Sequence, residues 1–186
     1  MTKNVVLIQF SSRKQGNCAA VSDLIAEHYT GEAVKTFTID GTVVQACNDC
    51  DYECLQPNKN CPNLNDIQRK IMDAICDADL VYYIIPNYCG YPCANYFVFN
   101  ERSVGYFNMD RALMEKYMSV PKRFIIISNS EGANFENALR QQVADQPEIL
   151  YLKTSRYQKR SIAGDMMECE EAKADLKAFL EHSSLN

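Results

Sequence analysis

Residues 9–18 read QFSSRKQGNC, and the fold turns on how this stretch is read. Upstream lies the apolar run Val5–Phe10; downstream, Ala20, Leu24, Ile25 and His28 recur at helical spacing. A buried run that breaks into two serines, a basic pair, a glycine and an asparagine, and then becomes an amphipathic helix, reads as the first β-α unit of a parallel sheet. In such sheets ligands settle beyond the carboxyl ends of the strands, where the first amides of the next helix point outward. Ser11 and Ser12 supply hydroxyls, Arg13 a fixed charge, Gly16 a permissive backbone and Asn17 the expected helix N-cap, so the loop is suited to a phosphate. The pattern is not G-x-x-x-x-G-K-[ST], which argues against a nucleoside triphosphate with magnesium. Nor is it G-x-G-x-x-G, which weakens a dinucleotide reading. The plain alternative is a polar surface turn with an ordinary cap.

The same alternation continues outward from this unit. Further buried runs are Ala33–Ile39, Leu80–Ile85, Phe124–Ser128 and Ile149–Leu152. Between them Ile67, Ile71 and Ile75, then Phe135, Leu139 and Val143, and finally Ala172, Leu176, Phe179 and Leu180 form helical stripes. Five strands and about five helices result. The aromatic stretch from Ala94 to Val120 reads as a helix, a turn near Gly105 and a second short helix. Gly41 to Pro62 is a long segment without clear structure, and loops of that length in a compact domain are usually functional.

With 186 residues, 47% of them hydrophobic, the chain suits one α/β domain spanning 1–186. A net charge of -5 offers no broad attraction to phosphate backbones, so nucleic acid is excluded as an expected partner and any anion must be held locally. The first apolar run is too short for a signal-peptide core and no membrane span is read, so a cytoplasmic location is expected. Nine cysteines are then read as free thiols or metal ligands rather than a disulfide scaffold. Four of them, Cys47, Cys50, Cys54 and Cys61, crowd one loop at a spacing that a [4Fe-4S] cluster or a tetrahedral zinc would accept; a loop without metal and a disulfide remain open. Asp49, Asp51 and Glu53 add negative charge there, which raises thiol pKa values and suits the metal-free reading.

Two more turns fall at strand ends. Pro86-Asn87-Tyr88-Cys89-Gly90 closes the most hydrophobic run and offers backbone groups and a ring to a flat heterocycle. Asn129-Ser130-Glu131-Gly132 follows the fourth run and is again small and polar. Three such loops on one rim would suit a planar cofactor that carries a phosphate.

Taken together these motifs resemble the flavodoxin-like NADPH-dependent FMN reductases, including the subgroup called iron-sulfur flavoproteins. The resemblance is carried by Ser11 to Cys18, similar to S-x-R-x-x-[SG]-N-[ST], by the clustered cysteines, by Pro86 to Gly90 against P-x-Y-x-G, and by Phe99-Asn100-Glu101-Arg102 against F-x-D-R. Cys18 stands where Ser or Thr usually supplies a hydroxyl, and Glu101 replaces the usual Asp. The resemblance implies a doubly wound five-stranded parallel sheet of order 2-1-3-4-5. It implies FMN held at Ser11, Ser12, Arg13, Gln15, Gly16, Asn17 and Cys18, with the ring against Pro86, Asn87, Tyr88, Cys89, Gly90, Asn129, Ser130, Glu131 and Gly132. The implied activity passes electrons from NAD(P)H through the flavin to a quinone, flavin, metal or protein acceptor, with no catalytic side chain required. An electron carrier with FMN and a [4Fe-4S] cluster, or a flavin-free module binding zinc or a partner, are the alternatives. A homodimer or higher homo-oligomer is expected, with Tyr96 to Phe107 as its surface.

Overall fold

A computed structural model describes residues 2–47, 50–129, 132 and 134–182. Strands β1 (Asn4–Gln9), β2 (Ala33–Thr38), β3 (Leu80–Tyr88), β5 (Lys122–Ser128) and β6 (Glu148–Lys153) form a parallel sheet in the order β2-β1-β3-β5-β6. A two-residue strand β4 (Tyr91–Pro92) pairs antiparallel with the end of β3. Setting that short strand aside, the order is the expected 2-1-3-4-5. Helices α1 (Asn17–His28) and α6 (Glu170–Glu181) cover one face; α2 (Gln68–Cys76), α3 (Ala94–Phe107), α4 (Arg111–Ser119) and the single-turn α5 (Phe135–Leu139) cover the other. Among the described residues no helix is long and apolar enough to cross a membrane.

Alternation along the strands builds the two cores, because successive side chains point to opposite faces. Val6, Ile8, Tyr83, Ile85, Phe124 and Ile126 pack under α2 to α5; Val5, Leu7, Tyr82, Ile84 and Ile125 pack under α1 and α6. Burial on both faces explains why these strands read as unbroken apolar runs. Hydroxyls buried within the first core are paired: Tyr83 Oη meets Tyr117 Oη at 2.8 Å, Tyr117 donates to Gln142 Oε1, and Gln142 Nε2 donates to Asn100 Oδ1 at 2.9 Å. Gln142 stands in the short helical turn Arg140–Gln142 that follows α5, so the network fastens that turn to α3 and α4. Val143, expected on the helical stripe, lies beyond this turn in extended backbone.

Several boundaries move for identifiable reasons. β3 does not end at Ile85 but runs on through Pro86, which pairs with Ile127 of β5. Ile84 O accepts from Phe10 N–H at 3.0 Å, so the missing N–H of Pro86, two residues on, faces the side that β1 has already left. α3 does not break at Gly105; it continues to Phe107 and stops where Asn108 turns left-handed at φ 43°. Gly105 is there for space, since a Cβ would lie 2.9 Å from Cys61 Sγ. Before the last helix a short turn forms at Met166–Glu168, and α6 starts at Glu170.

β5 begins two residues earlier than its apolar run because two buried cations serve as helix caps on opposite faces. Lys122 Nζ donates to Tyr117 O and to Val120 O, at the carboxyl end of α4. Arg123 donates to Phe179 O and His182 O at the carboxyl end of α6, pairs with Glu148, and stacks 3.9 Å from the centroid of the Phe179 ring. A cation at the carboxyl terminus of a helix donates to its last carbonyls and interacts favourably with the helix dipole. On α3 a third cation is fully buried: Arg102 donates to Gln45 O at 2.7 Å, to Asp66 Oδ2 at 2.8 Å and to Asn63 O. Arg102 thereby ties both ends of the Gly41 to Pro62 loop and its exit to one helix.

Two expected outcomes follow. Arg102→Met leaves Asp66 and two carbonyls without their partner, so it should cost about 3 kcal/mol in urea unfolding and speed protease cleavage within residues 41–62. Unchanged values would show that the loop is held otherwise. Burial pushes the Lys122 ammonium down to about 8, against 10.5 for the free group. The unfolded chain therefore binds the extra proton between these values, and native stability from this group rises with pH across that window. Compared with Lys122→Met, the wild type should gain up to about 3 kcal/mol between about pH 7 and about pH 10.5, measured by paired urea melts.

Candidate functional site at the carboxyl rim of the sheet

The loop between β1 and α1 opens the rim. Gly16 is extended, with φ 170° and ψ -175°, and is the N-cap of α1; no side chain caps the first-turn amides. Asn17, expected as the cap, is the first helical residue. Its Oδ1 accepts from Met166 N–H at 3.0 Å and its Nδ2 donates to Ser161 O at 3.5 Å. Gly16 takes the cap position because the Asn17 side chain is engaged by Met166 and Ser161, and no side chain caps the amides of the first turn. Ser11 is nearly buried, its Oγ accepting from Arg13 N–H at 3.2 Å; Ser12 Oγ donates to Asp40 O at 3.1 Å; Gln15 is exposed. Cys18 is buried, and burial, with Cys93 nearby, pushes its thiol up to about 12.

Arg13 does not stand free. Its guanidinium donates to Ser161 O and to Ile162 O, each at 3.0 Å. The segment after β6 thus lies as a strap across the loop, and the approach is close enough that a Cβ on Gly164 would sit 3.2 Å from Gly16 Cα. The far side of the strap is held by Asn129 Oδ1, which accepts from Ser161 Oγ and from Thr154 Oγ1, the latter at 2.7 Å. Arg13, Asn17 and Asn129, expected from sequence as cofactor contacts, are all brought together at Ser161.

The second loop is a hairpin. Cys89 at φ 54° and Gly90 at φ 85° form the turn between β3 and β4, with both residues in the left-handed region that a tight hairpin requires. Asn87 Oδ1 accepts from Gly90 N–H at 2.9 Å while its Nδ2 donates to Ser128 Oγ at 2.6 Å, so one amide fixes the turn and ties it to β5. Tyr88 and Tyr91, side by side across the hairpin, are 62% and 52% exposed and present aromatic surface at the rim. Cys89 is exposed because the turn carries it outward. In the third loop Gly132 is buried where a Cβ would fall 2.8 Å from the Tyr151 ring, and Asn134 N–H donates to Gly90 O at 3.3 Å. Ser130 and Glu131 lie outside the described residues.

The four clustered cysteines sit away from these loops, against α3. Cys61 is buried on Gly105, Cys50 and Cys54 are half-buried and Cys47 is exposed. Partial desolvation, with the Glu101 carboxylate, pushes Cys47 up to about 11; burial and the neighbouring Cys61 and Cys50 raise Cys54. Among the described residues no group of three or more His, Cys, Asp or Glu side chains is placed to hold a metal ion. The expected dimer surface, Tyr96 to Phe107, is partly core: Tyr96 and Phe99 are fully buried, leaving Phe97 and Val104 exposed.

Two residues of the rim carry no motif. Asn95, in the first turn of α3, donates to Ile39 O at 2.9 Å, Phe10 O at 3.3 Å and Ser12 Oγ at 3.3 Å, clasping the ends of β1 and β2. Ser161 draws its contacts from three separate loops. The sequence signal for the first is a polar residue beside the Cys93 helix start, and for the second the basic, serine-bearing run from Lys153 to Ser161 after the last strand.

No protein-family model matches the chain, and no curated protein sequence does. Solved structures do. The Trp repressor binding protein from Bacillus subtilis is similar at a TM-score of 0.64 and 12% identity, covering 97% of this chain and 99% of that one. The apo NADH:FMN oxidoreductase EMOB matches at 0.56 and 15%, over 98% and 91%. FerB, a flavoenzyme NAD(P)H:(acceptor) oxidoreductase from Paracoccus denitrificans, matches at 0.57 and 15%, over 97% and 96%. At these identities the likeness establishes the flavodoxin-like fold.

Gly164, at φ 77° and in contact with Gly16, is the residue on which the strap closes. Gly164→Ala should destabilise the protein by about 1–2 kcal/mol in urea unfolding, through left-handed strain and the lost approach. It should also speed hydrogen exchange in residues 155–165; an unaltered exchange pattern would show that the strap closes without that contact.

Proposed function

We propose that this chain is an FMN-dependent NAD(P)H oxidoreductase that passes electrons to a small-molecule or protein acceptor. The observation that carries the reading is the uncapped amino end of α1 beneath Ser11 and Ser12, facing the same rim as the aromatic hairpin. A phosphate needs N–H donors with a favourable dipole, and α1 offers both. A flat ring needs an apolar surface beside backbone polar groups, which Tyr88, Tyr91 and the Cys89-Gly90 turn present. FMN fits this donor set, and so does the resemblance of structure to flavin oxidoreductases such as EMOB and FerB.

In this reading the flavin supplies hydride and electron chemistry, and the chain supplies position and surroundings. Gly16 lets the phosphate approach the α1 amides. Asn87, locked by Ser128 and by the Gly90 amide, holds the hairpin at a fixed height beside the ring. The exposed faces of Tyr88 and Tyr91 leave room for a nicotinamide or an acceptor to stack. The net charge of the chain is negative, so the anion is attracted only by these local groups.

The phosphate is the test. FMN should bind at least about 100-fold more tightly than riboflavin, because the loop's donors are charge-assisted only with the phosphate present. Gln15→Glu, an exposed and isosteric change that places a carboxylate at the loop, should weaken FMN about tenfold and leave riboflavin unchanged. Flavin fluorescence titrations measure both. Equal affinity for FMN and riboflavin would overturn the phosphate site, and failure of NAD(P)H to reduce the bound flavin without air would overturn the oxidoreductase reading.

A further inference from the structure

A cavity of about 330 Å³ opens on the far side of the strap, between the end of β5 and the segment that follows β6. Its walls include Asn129, Thr154, Ser155, Lys159, Arg160 and Ser161. In a chain of net charge -5 this lining has two cations and, among the described residues, no carboxylate, whereas Glu148, Glu168 and Asp110 line three other cavities. The walls are built rather than loose. Thr154 is fully buried and its Oγ1 bonds Asn129 Oδ1 at 2.7 Å; Lys159 N–H donates to Thr154 O at 2.9 Å, and Gln158 takes φ 54° to close that turn. Ser161 forms the partition: its carbonyl faces Arg13 and Asn17 on the α1 side, and its hydroxyl faces Asn129 and Thr154 on this side.

The cations differ in what they leave free. Lys159 Nζ gives one N–H to Asp165 Oδ2 at 2.8 Å. Arg160 is exposed and has no ion pair or side-chain hydrogen bond among the described residues. The other half-paired basic residue of the turn, Arg156, is already committed to Glu171 and Asp175. An unpaired guanidinium beside a second cation and the Ser155 hydroxyl offers more donors than a carboxylate can use, and its planar fork matches two oxygens of a phosphate.

We propose that this cavity binds the phosphomonoester of a nucleotide, separately from the anion site at α1. If the oxidoreductase reading holds, and the nucleotide's identity rests on that reading, the group is the 2′-phosphate of NADPH.

Calorimetry with adenosine 2′-monophosphate, adenosine and inorganic phosphate, on wild type and Arg160→Glu, tests it; FMN is titrated into the same two proteins by fluorescence. Adenosine 2′-monophosphate should bind wild type, adenosine should bind far more weakly, and Arg160→Glu should weaken the monophosphate at least about tenfold while FMN affinity stays within about twofold. The assignment is overturned by absent heat with the monophosphate, or by equal binding in the two proteins. A parallel loss of FMN in the variant also overturns it, since the cavity would then serve the flavin phosphate. Inorganic phosphate that displaces the monophosphate at equal affinity removes the nucleotide. Should FMN bind neither protein, the flavin reading fails while the monophosphate titration still decides the cavity.

Discussion

The parallel register that sets Gln9 beside Ile84, and Ile84 beside Ile125, governs what the rim can do. Because all five long strands point the same way, the loops after β1, β3, β5 and β6 leave one edge at nearly one height. That is why Asn87 reaches Ser128, why Thr154 N–H reaches Ser128 O at 2.8 Å, and why Asn95 can clasp two strand ends with one amide. A slip of one residue would send every inward side chain to the opposite face. Val6, Ile8, Tyr83 and Ile126 on one side and Leu7, Tyr82 and Ile125 on the other are all essentially excluded from water, so both faces resist it. The site is a consequence of register before it is a consequence of any single polar residue.

Buried cations then fix what register leaves undetermined. Lys122, Arg123 and Arg102 each donate to backbone carbonyls: two at helix ends, one at the mouth of the long cysteine-bearing loop. Burying charge is costly, and an isolated ion would shed its proton or stay in water. Arg102 stays inside because three acceptors converge on it. Among the described residues Lys122 meets carbonyls and the Tyr117 ring, its Nζ 4.2 Å from the ring centroid, and burial lowers its pKa.

The parallel sheet and the three rim loops were legible because they are written in period and punctuation, apolar runs broken by small polar turns at Ser11, Asn87 and Asn129; the strand order came from the family resemblance alone. What escaped the sequence was long-range. Gly16 and Asn17 sit side by side, and only the fold reveals that the strap claims the Asn17 amide, leaving the cap to glycine. Arg13 reads as a ligand charge; its contacts are with Ser161 and Ile162, about 150 residues away in sequence. Lys122 and Arg123 read as loop because no local pattern announces a helix terminus folded against them from α4 or α6. The aromatic stretch was read as surface, yet Tyr96 and Phe99 are core, since their helix turns them toward Phe10 at centroid distances of 5.6 and 5.8 Å.

Cys18 illustrates how burial can reconcile a departure from a motif with its chemistry. A hydroxyl at this position would donate a stronger hydrogen bond than a thiol, so the substitution weakens one contact by roughly 1 kcal/mol. A thiolate would do far worse, placing a negative charge beside the very amides that an anion must use. Burial first, and the sulfur of Cys93 second, push Cys18 up to about 12, which keeps it protonated at any ordinary pH. Cys93 is protected in the same way and gives its thiol to Phe10 O at 3.1 Å, closing the carbonyl where β1 ends. Two sulfurs therefore line the base of the loop between β1 and α1 as neutral, unreactive groups. The positive end of α1 is left uncompensated from below, and that is the condition under which backbone amides alone can hold an anion in a chain of net negative charge.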